Sequence, residues 1–367
     1  MKPRRLLILL ALVLTGLLIS VLPAALRASP RVPGLTETER TLLRIWVVSS
    51  PGGGQSWLTS HLRAFEKQHP GVTTHLRTVS AEEALAADAV LPDVILYMPG
   101  DFTNPSAIFA PVTADDALSE ALLRCGCWQG QQMALPLCWG SWVMAIDGAL
   151  EPENAATPAP TTLLGKPAAT AATTTAPGYP LAAASQAACA LQSPGGAALL
   201  SLSTMLPATE RPPLPENFTQ LSAADVYAAF RSRQCATAMI TTGQAVAFTS
   251  LTSGGSGFPF RIMVPEEVIT DQVWLASLTA DAPDEAASLL AFLTAPEAQQ
   301  ALSSQGLHNV RDDLTLYTAG FSAEVEQAGQ HALYAINAYI PREQVEATAW
   351  QAFQGTLSFA QALLPLV

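Results

Sequence analysis

The chain has 367 residues and a formal net charge of −12, and charged residues make up only 13% of it while apolar residues make up 49%. An acidic body repels phosphate backbones and anionic lipid headgroups, so the composition argues against nucleic acid or a membrane surface as the partner. The low charged fraction predicts a large buried core, and the length favours two domains over one.

The N-terminal segment, residues 1–28, is predicted to direct export and then to be either cleaved or kept as a membrane anchor. Three basic residues precede a stretch at 6–26 that is apolar apart from small or weakly polar residues. This stretch approaches the roughly 20 residues that a spanning helix needs, and residues 26–28 form only a tolerable cleavage site, which favours an anchor. The first cysteine is Cys125, so lipid attachment is not expected. We expect an exported protein, anchored at the extracellular face of the cytoplasmic membrane or secreted.

The five cysteines are interpreted for an oxidising compartment. Cys125 and Cys127 are separated by one glycine, which is not the spacing of a redox or zinc pair, and no histidine lies near them in the sequence. Structural cysteines are therefore favoured. A bridge between Cys189 and Cys235 is one possibility, although spacing does not determine connectivity. The sequence predicts neither a metal nor a cofactor.

The first strand and helix are predicted on either side of a glycine turn. Residues 44–49 have β-branched character and lead into a proline and three glycines. From Gln55 the apolar residues follow the period of a helix, with Leu58, Leu62 and Phe65 on one face. A Pro-Gly pair then ends the helix.

Two more strands, at 72–79 and 94–97, follow this helix and predict a parallel sheet with right-handed crossovers. The strand at 94–97 is apolar throughout, as expected of a strand that is covered on both faces. Ligands bind beyond the carboxyl ends of the strands in such sheets. The loops after the first and third strands are therefore expected to lie on one rim.

The middle of the chain is predicted to contain a short helix near 117–123 and a hairpin-like unit at 128–147. The composition then changes to Ala, Thr and Pro over residues 148–188. Taken alone, that stretch has the composition of a linker.

Regular structure is predicted to resume after this stretch. Residues 236–251 are interpreted as a strand that runs into a turn, and further strands are expected at 259–267 and 271–279. The closing part of the chain is predicted to be helical, including residues 321–340.

The glycine turn lacks the signatures of a phosphate site. A P-loop needs Lys and Ser or Thr at the helix start, whereas this turn leads into Gln55, Ser56 and Trp57. The G-x-G-x-x-G pattern of a dinucleotide site is also missing. What remains is a helix N-terminus whose backbone N–H groups suit hydroxyls or carboxylates. The alternative is that the glycines only permit a sharp turn.

No catalytic constellation is found, so the protein is not expected to be an enzyme. The sequence has no G-x-S-x-G motif, and its five histidines lie in predicted helices or strands without a nucleophile, which favours solvated side chains. The adjacent pairs Asp115-Asp116 and Asp312-Asp313 do not converge on one scissile bond, as glycoside hydrolysis requires.

Several tryptophans lie at or near predicted loops and strand ends. A sugar presents an apolar C–H face and a rim of hydroxyls, so its site combines aromatic platforms with amides, carboxylates and backbone donors. For Trp57, Trp139 and Trp350, a ligand contact and a core position are equally supported. For Trp142 and Trp274, a core position is favoured.

Four passages together resemble the extracellular solute-binding proteins of ABC importers, in particular the carbohydrate-binding group that includes maltose-binding protein. The passages are the opening strand and helix ending in "FEKQHPGV", the strand "LPDVILYMPGD", the crossing "GQQMALPLCWGSWVMAID" and the helix pair ending in "GLHNVR". Together they span most of residues 43–311, and the combination is more specific than any single motif.

The resemblance implies an α/β, two-lobed periplasmic-binding-protein-like fold with a hinge, preceded by the hydrophobic export or anchor helix. The implied N-terminal lobe comprises residues 41–141 and 263–312, and the implied C-terminal lobe comprises 147–260 and 318–367. Crossings between the lobes are expected near 142–146 and 261–264. A ligand would bind in the cleft, which closes by rigid-body rotation.

The resemblance also implies which residues line the cleft. On the first lobe these are Ser49, Ser50, Gly53, Trp57, Gly100 and Asp101. Trp139 and Ser141 are implied at the crossing, Gln244 on a loop of the second lobe, and Trp350 on a late helix. The implied ligand is a sugar or oligosaccharide, and the implied protein partner is the permease of an ABC transporter.

The sequence departs from the resemblance at residues 148–188 and at Asn309, where a proline is usual. Three other interpretations stay open. A retained anchor would favour a membrane-bound sensor subunit that passes its ligand-loaded state to a signalling partner. The cleft would also suit a non-sugar solute, and a hydrolase that has lost its activity is the third alternative.

Overall fold

The computed structural model of the chain describes residues 40–86, 92–148, 196–205, 223–235, 237–255 and 257–367, together with the backbone of 172–173 and 189–190. The predicted export segment, nearly all of the Ala/Thr/Pro-rich stretch and the Cys189 side chain lie outside these residues. Within the described residues, no helix has the length and apolar character needed to cross a membrane.

Helices and strands are interspersed along the chain, which confirms the predicted α/β class. The helices are α1 (Gly54–Gln68), α2 (Ala81–Leu85), α3 (Glu120–Cys125), α4 (Gly196–Met205), α5 (Ala223–Arg231), α6 (Thr242–Ser253), α7 (Asp284–Thr294), α8 (Pro296–Gln300), α9 (Gly320–His331), α10 (Arg342–Phe353) and α11 (Phe359–Leu363). The strands are β1 (Thr41–Val47), β2 (Val72–Thr78), β3 (Val94–Tyr97), β4 (Phe109–Ala110), β5 (Cys127–Trp128), β6 (Gln131–Gln132), β7 (Leu135–Trp139), β8 (Trp142–Asp147), β9 (Ala172–Thr173), β10 (Cys189–Ala190), β11 (Thr237–Thr241), β12 (Phe260–Met263), β13 (Val268–Thr270), β14 (Val273–Thr279) and β15 (Leu333–Ala335).

The first sheet has the strand order β2-β1-β3-β14-β4, and β7 also pairs with β14. β1 and β3 run parallel, with Ile45 opposite Val94, as the sequence predicted. β14 joins antiparallel, with Leu275 opposite Tyr97, so the sheet is mixed rather than parallel throughout. Every residue of β3 is buried, which confirms a strand covered on both faces.

The helix α1 covers this sheet with the apolar face that the sequence predicted. Leu58, Leu62 and Phe65 are all buried, and Trp57 is buried beside them. The helix ends at Gln68, just before the Pro-Gly pair.

The second sheet has the order β10-β11-β8-β12-β9, with β8 at its centre. Met144 of β8 lies opposite Met239 of β11 on one side and Met263 of β12 on the other, both antiparallel. Helix α4 is buried along its first eight residues and packs chiefly on α10 and β13. A helix that is apolar all round has to lie inside the protein, so α4 links the second sheet to the closing helices.

Residues 242–253 form helix α6, whereas the sequence interpretation placed a turn there. Its start is a capping box, because Gln244 N donates to Thr241 Oγ1 at 3.2 Å and Thr241 N donates to Gln244 Oε1 at 3.0 Å. Threonine and valine in the first two turns favour strands, so the local residue preferences do not predict this helix. The Thr-x-x-Gln spacing was the available signal.

The predicted helix over 321–340 is also too long. Helix α9 ends at His331, and Leu333 pairs with Val268 in a two-stranded parallel ribbon of β13 and β15. This ribbon has no sequence signature because its partners are more than sixty residues apart, and each strand is only three residues long.

The chain crosses from the first sheet to the second at residues 140–141 and returns at 271–272. The return is later than the predicted 261–264, because Met263 still pairs with Met144 in the second sheet. We refer to residues 41–139 and 273–331 as the first half, and to 142–270 and 342–367 as the second half. Residues 42–367 nevertheless form one compact unit.

A third passage, residues 336–340, leads from β15 to α10 and packs on the loop after β3. Gly100 N donates to Ala338 O at 2.8 Å, and the hydroxyls of Tyr97 and Tyr339 lie 3.0 Å apart in the interior. A segment that the sequence interpretation gave wholly to the second lobe therefore contacts the first sheet.

Cys125, Cys127 and Cys138 carry free thiols. Cys125 and Cys138 are buried, and burial raises the pKa of both thiols far above the usual value. The sulfur of Cys125 donates to Ile336 O at 3.0 Å. Cys189 is paired in register with Thr237, two residues beyond Cys235, and the Cys189–Cys235 bridge stays a prediction.

The contact between α4 and α10 leaves no room for a side chain at Gly196. A Cβ there would lie 2.6 Å from Val345 Cγ1 and 2.8 Å from the Val345 carbonyl carbon, which is backbone and cannot rotate away. We expect Gly196→Ala to lower the free energy of unfolding by about 1–3 kcal/mol, measured by denaturant titration. Gly52→Ala is the matched control, since nothing lies within 4 Å of its added methyl. Equal stability of the two variants would contradict the close packing.

Candidate functional site

A cavity of about 210 Å³ lies where the second crossing, the third passage and both halves meet. Its lining is Met98, Pro99, Gly100, Gly196, Asp271, Gln272, Ile336, Ile340, Arg342 and Val345. The volume is below the roughly 300–1,000 Å³ that is typical of ligand pockets. A disaccharide or larger sugar would therefore require the halves to move apart.

A second cavity, of about 550 Å³, lies between the start of α3, the end of α9 and the turn after His308. Two of the charged groups in its lining, Arg311 and Glu326, are already paired. Arg311 binds Asp115 at 3.1 Å and Asp313 at 2.8 Å, and Glu326 accepts backbone N–H groups of the same turn. We take the smaller cavity as the candidate site because it adjoins the carboxyl end of β3, where ligands bind in open α/β sheets.

The loops after β1 and β3 lie on one rim, as the sequence predicted. The Ser49 hydroxyl donates to Asp101 Oδ2, and Met98 N donates to both Ser49 Oγ and Asp101 Oδ2 at 2.9 Å. The contact arises because β1 and β3 are adjacent and parallel, so the polar residues that follow them meet. Ser50, next along the rim, is half-buried.

The glycine turn serves the packing of the chain. Gly53 has φ +84° just before α1, a conformation that favours glycine, and a Cβ there would lie 2.9 Å from Gln305 Oε1. The turn also faces the second half, because a Cβ on Gly243 would lie 3.8 Å from the carbonyl oxygen of Gly52. Gly53 is exposed and does not line the described cavity, so its contact with a ligand stays a prediction.

Gly100 and Asp101 are both covered by Arg342, the first residue of α10. Gly100 has φ +83°, and a Cβ there would lie 2.4 Å from Arg342 Cγ. The Arg342 guanidinium lies 2.5 Å from Asp101 Oδ1 and also donates to Pro99 O at 3.3 Å. The carboxylate that the sequence assigned to a ligand is therefore occupied by a side chain of the second half.

Trp57 and Trp139 are core residues in this structure, and their contact with a ligand stays a prediction. The Trp57 side chain is 2% exposed, and its Nε1 donates to Ala298 O at 3.0 Å. Trp139 is 4% exposed, and its Nε1 donates to Asn309 O at 2.7 Å. Both indoles satisfy their polar atom inside the protein, which is typical of structural tryptophans.

The remaining predicted site residues support the crossing or lie apart from the cavity. Ser141 is buried, and its backbone N donates to Thr242 Oγ1 at 3.2 Å. Gln244 lies in the first turn of α6 rather than in a loop, and its side chain takes part in the capping box. Trp350 is half-buried on α10, edge-on to Phe353 with ring centroids 6.1 Å apart, and does not line the cavity.

Much of the lining was not found from the sequence, including Gln272, Ile336 and Arg342. Pro341 just before Arg342 was a usable signal for a helix start. No local pattern indicates which loop that helix start faces, because the contact joins residues 241 positions apart. The lining residues in the described chain are aliphatic and polar, and none is aromatic.

His308 is 1% exposed, so its predicted solvated position is wrong. Its ring stacks on Trp139 with centroids 4.5 Å apart and meets the edge of Tyr317 at 5.1 Å. Neither ring nitrogen has a hydrogen-bond partner among the described residues. Burial lowers the pKa of His308 to about 3, because the charged ring would lose its hydration.

No protein-family profile matches the chain, and no curated protein sequence matches it. Solved structures do match. The GacH receptor of Streptomyces glaucescens, solved unliganded and with acarbose, aligns with a TM-score of 0.58 at 13% identity, over 88% of this chain and 96% of that one. The maltose/maltodextrin-binding domain MalE of Bdellovibrio bacteriovorus, bound to maltotriose, aligns with a TM-score of 0.55 at 12% identity, over 88% and 97%.

A third structure, T. maritima MalE3 with maltose bound, aligns with a TM-score of 0.57 at 13% identity, over 88% of this chain and 97% of that one. Likeness at such identities establishes the fold. The resemblance to maltose- and oligosaccharide-binding proteins is thereby confirmed at the level of the fold, and these neighbours are two-domain proteins.

The burial of His308 predicts an acid sensitivity that one substitution should reduce. Because the folded-state pKa lies below the unfolded value of about 6.5, the unfolded chain alone takes up this proton as pH falls from about 7. This group then costs about 2 kcal/mol of stability at about pH 5. His308→Leu should shrink the loss of unfolding free energy between about pH 8 and pH 5 by that amount.

The same substitution at exposed His75 is the control and should leave the pH dependence as in the wild type. Denaturant titrations at the two pH values measure both variants. A pH dependence of His308→Leu equal to that of the wild type would contradict the buried, neutral state of the ring.

Proposed function

We propose that the protein is an exported solute-binding protein that captures a sugar or oligosaccharide between its two halves and delivers it to an ABC transporter permease. The observation that carries the proposal is the position of the cavity. It lies at the carboxyl end of β3, beside the crossing at 271–272, and has lining residues from both halves. A ligand held there contacts both halves at once and so favours their closure.

The two halves correspond in this proposal to two lobes, divided at residues 140–141 and 271–272. Short crossings let the lobes rotate as rigid bodies while each sheet keeps its own core. Opening would enlarge the cavity, which is otherwise too small for an oligosaccharide. Closure would then remove the ligand from water.

The rim supplies groups that suit hydroxyls. Ser49 and Asp101 provide a hydroxyl and a carboxylate, and Gln272 lines the cavity with an amide. Met98 and Ile340 provide apolar surface for the C–H face of a ring. We keep Ser49, Ser50, Gly53, Gly100, Asp101, Gln244 and Trp350 as candidate contacts of the opened cleft, with Trp57, Trp139 and Ser141 supporting them from within.

The proposed location is outside the cytoplasm, with residues 1–28 as the export signal or anchor. The solved structures of similar fold include complexes with acarbose, maltotriose and maltose. We propose the same kind of role here, binding without turnover, with the permease as the protein partner.

The first test is ligand-dependent stabilisation of the full chain. A specific ligand raises the free energy of unfolding by RT ln(1 + [L]/Kd), about 2.7 kcal/mol at a hundredfold excess over Kd. Thermal melts with maltose, maltotriose, chitin and xylan oligosaccharides, amino acids and polyamines should show a shift for at least one sugar. A shift only with an amino acid or polyamine would contradict a carbohydrate ligand.

A matched pair of variants locates the site. Gln272→Leu removes an amide from the cavity wall and should abolish or strongly reduce the sugar shift, while the ligand-free melt changes little. Gln327→Leu makes the same change at an exposed position on α9 and should keep the full shift. Equal shifts in both variants would place the sugar elsewhere.

A further inference from the structure

Arg342 joins the two halves across the mouth of the cavity. It is the first residue of α10 in the second half, and its partner Asp101 follows β3 in the first half. The ion-paired atoms lie 2.5 Å apart, and the aliphatic part of Arg342 lies over Gly100. The Asp101 side chain is 9% exposed, whereas that of Arg342 is 45% exposed.

Asp101 has little capacity left for a ligand in this arrangement. Its Oδ2 accepts hydrogen bonds from Ser49 Oγ and Met98 N, and its Oδ1 accepts from Arg342. A carboxylate offers about four acceptor positions, so three are already used. A hydroxyl that binds Asp101 well has to replace one of these donors, and Arg342 is the most exposed of them.

The Arg342 backbone cannot withdraw by itself. Helix α10 packs closely on the buried helix α4, since the backbone of Val345 leaves no space for a side chain on Gly196. The guanidinium therefore leaves Asp101 by rotation of its long side chain or by movement of the second half as a body. Both routes uncover Gly100 and widen the cavity.

We propose that Arg342 is an internal competitor for the ligand. Its ion pair with Asp101 holds the empty cleft closed, and ligand hydroxyls take its place on the carboxylate when the cleft fills. Arg342 thereby sets the affinity, because only the fraction of molecules with the pair broken is able to bind. The affinity part of this inference rests on the proposed function, whereas the closure of the empty cleft does not.

Arg342→Met tests the competitor, because it keeps the aliphatic cover on Gly100 and removes the guanidinium. Arg124→Met is the matched control, since Arg124 forms an exposed ion pair with Glu120 within α3. Arg342→Lys restores a positive charge without the forked donors and should give an intermediate result.

The ligand-free readout is hydrogen exchange by mass spectrometry on the full chain. Met98 N donates to the Asp101 carboxylate that Arg342 binds, so loss of the ion pair loosens this bond and exposes the N–H to solvent. Arg342→Met should accelerate exchange in peptides that cover 98–101 by about twofold to fivefold, the range of a partly exposed ion pair. Arg124→Met should not change it. Unchanged exchange in Arg342→Met would overturn the closure of the empty cleft.

The second readout is calorimetric titration with the sugar that gives the largest thermal shift. Arg342→Met should bind it about twofold to fivefold more tightly than the wild type. Raising the salt concentration should strengthen binding to the wild type and leave the variant unaffected, because only the wild type has the ion pair to screen. Weaker binding by Arg342→Met would overturn the proposal, since it would show that Arg342 holds the ligand.

The two readouts distinguish a failure of the proposed function from a failure of the proposed role of Arg342. Faster exchange in Arg342→Met with no sugar bound by any variant would contradict the proposed function and support the ion pair as the closing contact. Sugar binding by the wild type with unchanged exchange and unchanged affinity in the variant would support the proposed function and overturn the role of Arg342.

Discussion

The hydrogen bonds between the two crossings fix the geometry on which the site depends. Gly140 N donates to Gln272 O at 2.8 Å, and Thr270 Oγ1 donates to Gly140 O at 2.7 Å. The two segments that connect the sheets, residues 140–141 and 271–272, therefore lie side by side. Because both crossings are held together, they mark the point about which the proposed rotation of the halves would take place. The cavity, with Asp271 and Gln272 in its wall, lies beside it.

Local periodicity was sufficient for the first part of the fold. The apolar spacing of Leu58, Leu62 and Phe65 and the apolar run at 94–97 are local signals, and both elements form as predicted. The meeting of Ser49 with Asp101 followed from the rule for adjacent parallel strands. The position of the second crossing could not be predicted in this way. It depends on which strand Met263 pairs with, and strand pairing is a long-range property.

The site itself was predicted less well, for a related reason. A tryptophan at a strand end looks the same in sequence whether its indole is buried or exposed, and Trp57 and Trp139 are buried. The unusual Asn309 likewise has a structural role, since its amide donates to Leu314 O at 2.9 Å and its Oδ1 accepts from Arg311 N at 2.7 Å. No sequence pattern indicates the role of Arg342, because its partner Asp101 is distant in sequence.

The central claim is that a sugar enters by separation of the two halves at the rim. Gly243 lies beside Gly52 across that rim, since a Cβ on Gly243 would lie 3.8 Å from the Gly52 carbonyl oxygen, and neither position is crowded. A disulfide between cysteines introduced at both positions would hold the rim shut, and reduction would release it. Association of the best sugar, followed by stopped flow, should be blocked or strongly slowed in the oxidised double variant and restored by reductant, with the single variants unaffected. Association at the wild-type rate in the fully oxidised protein would contradict the account.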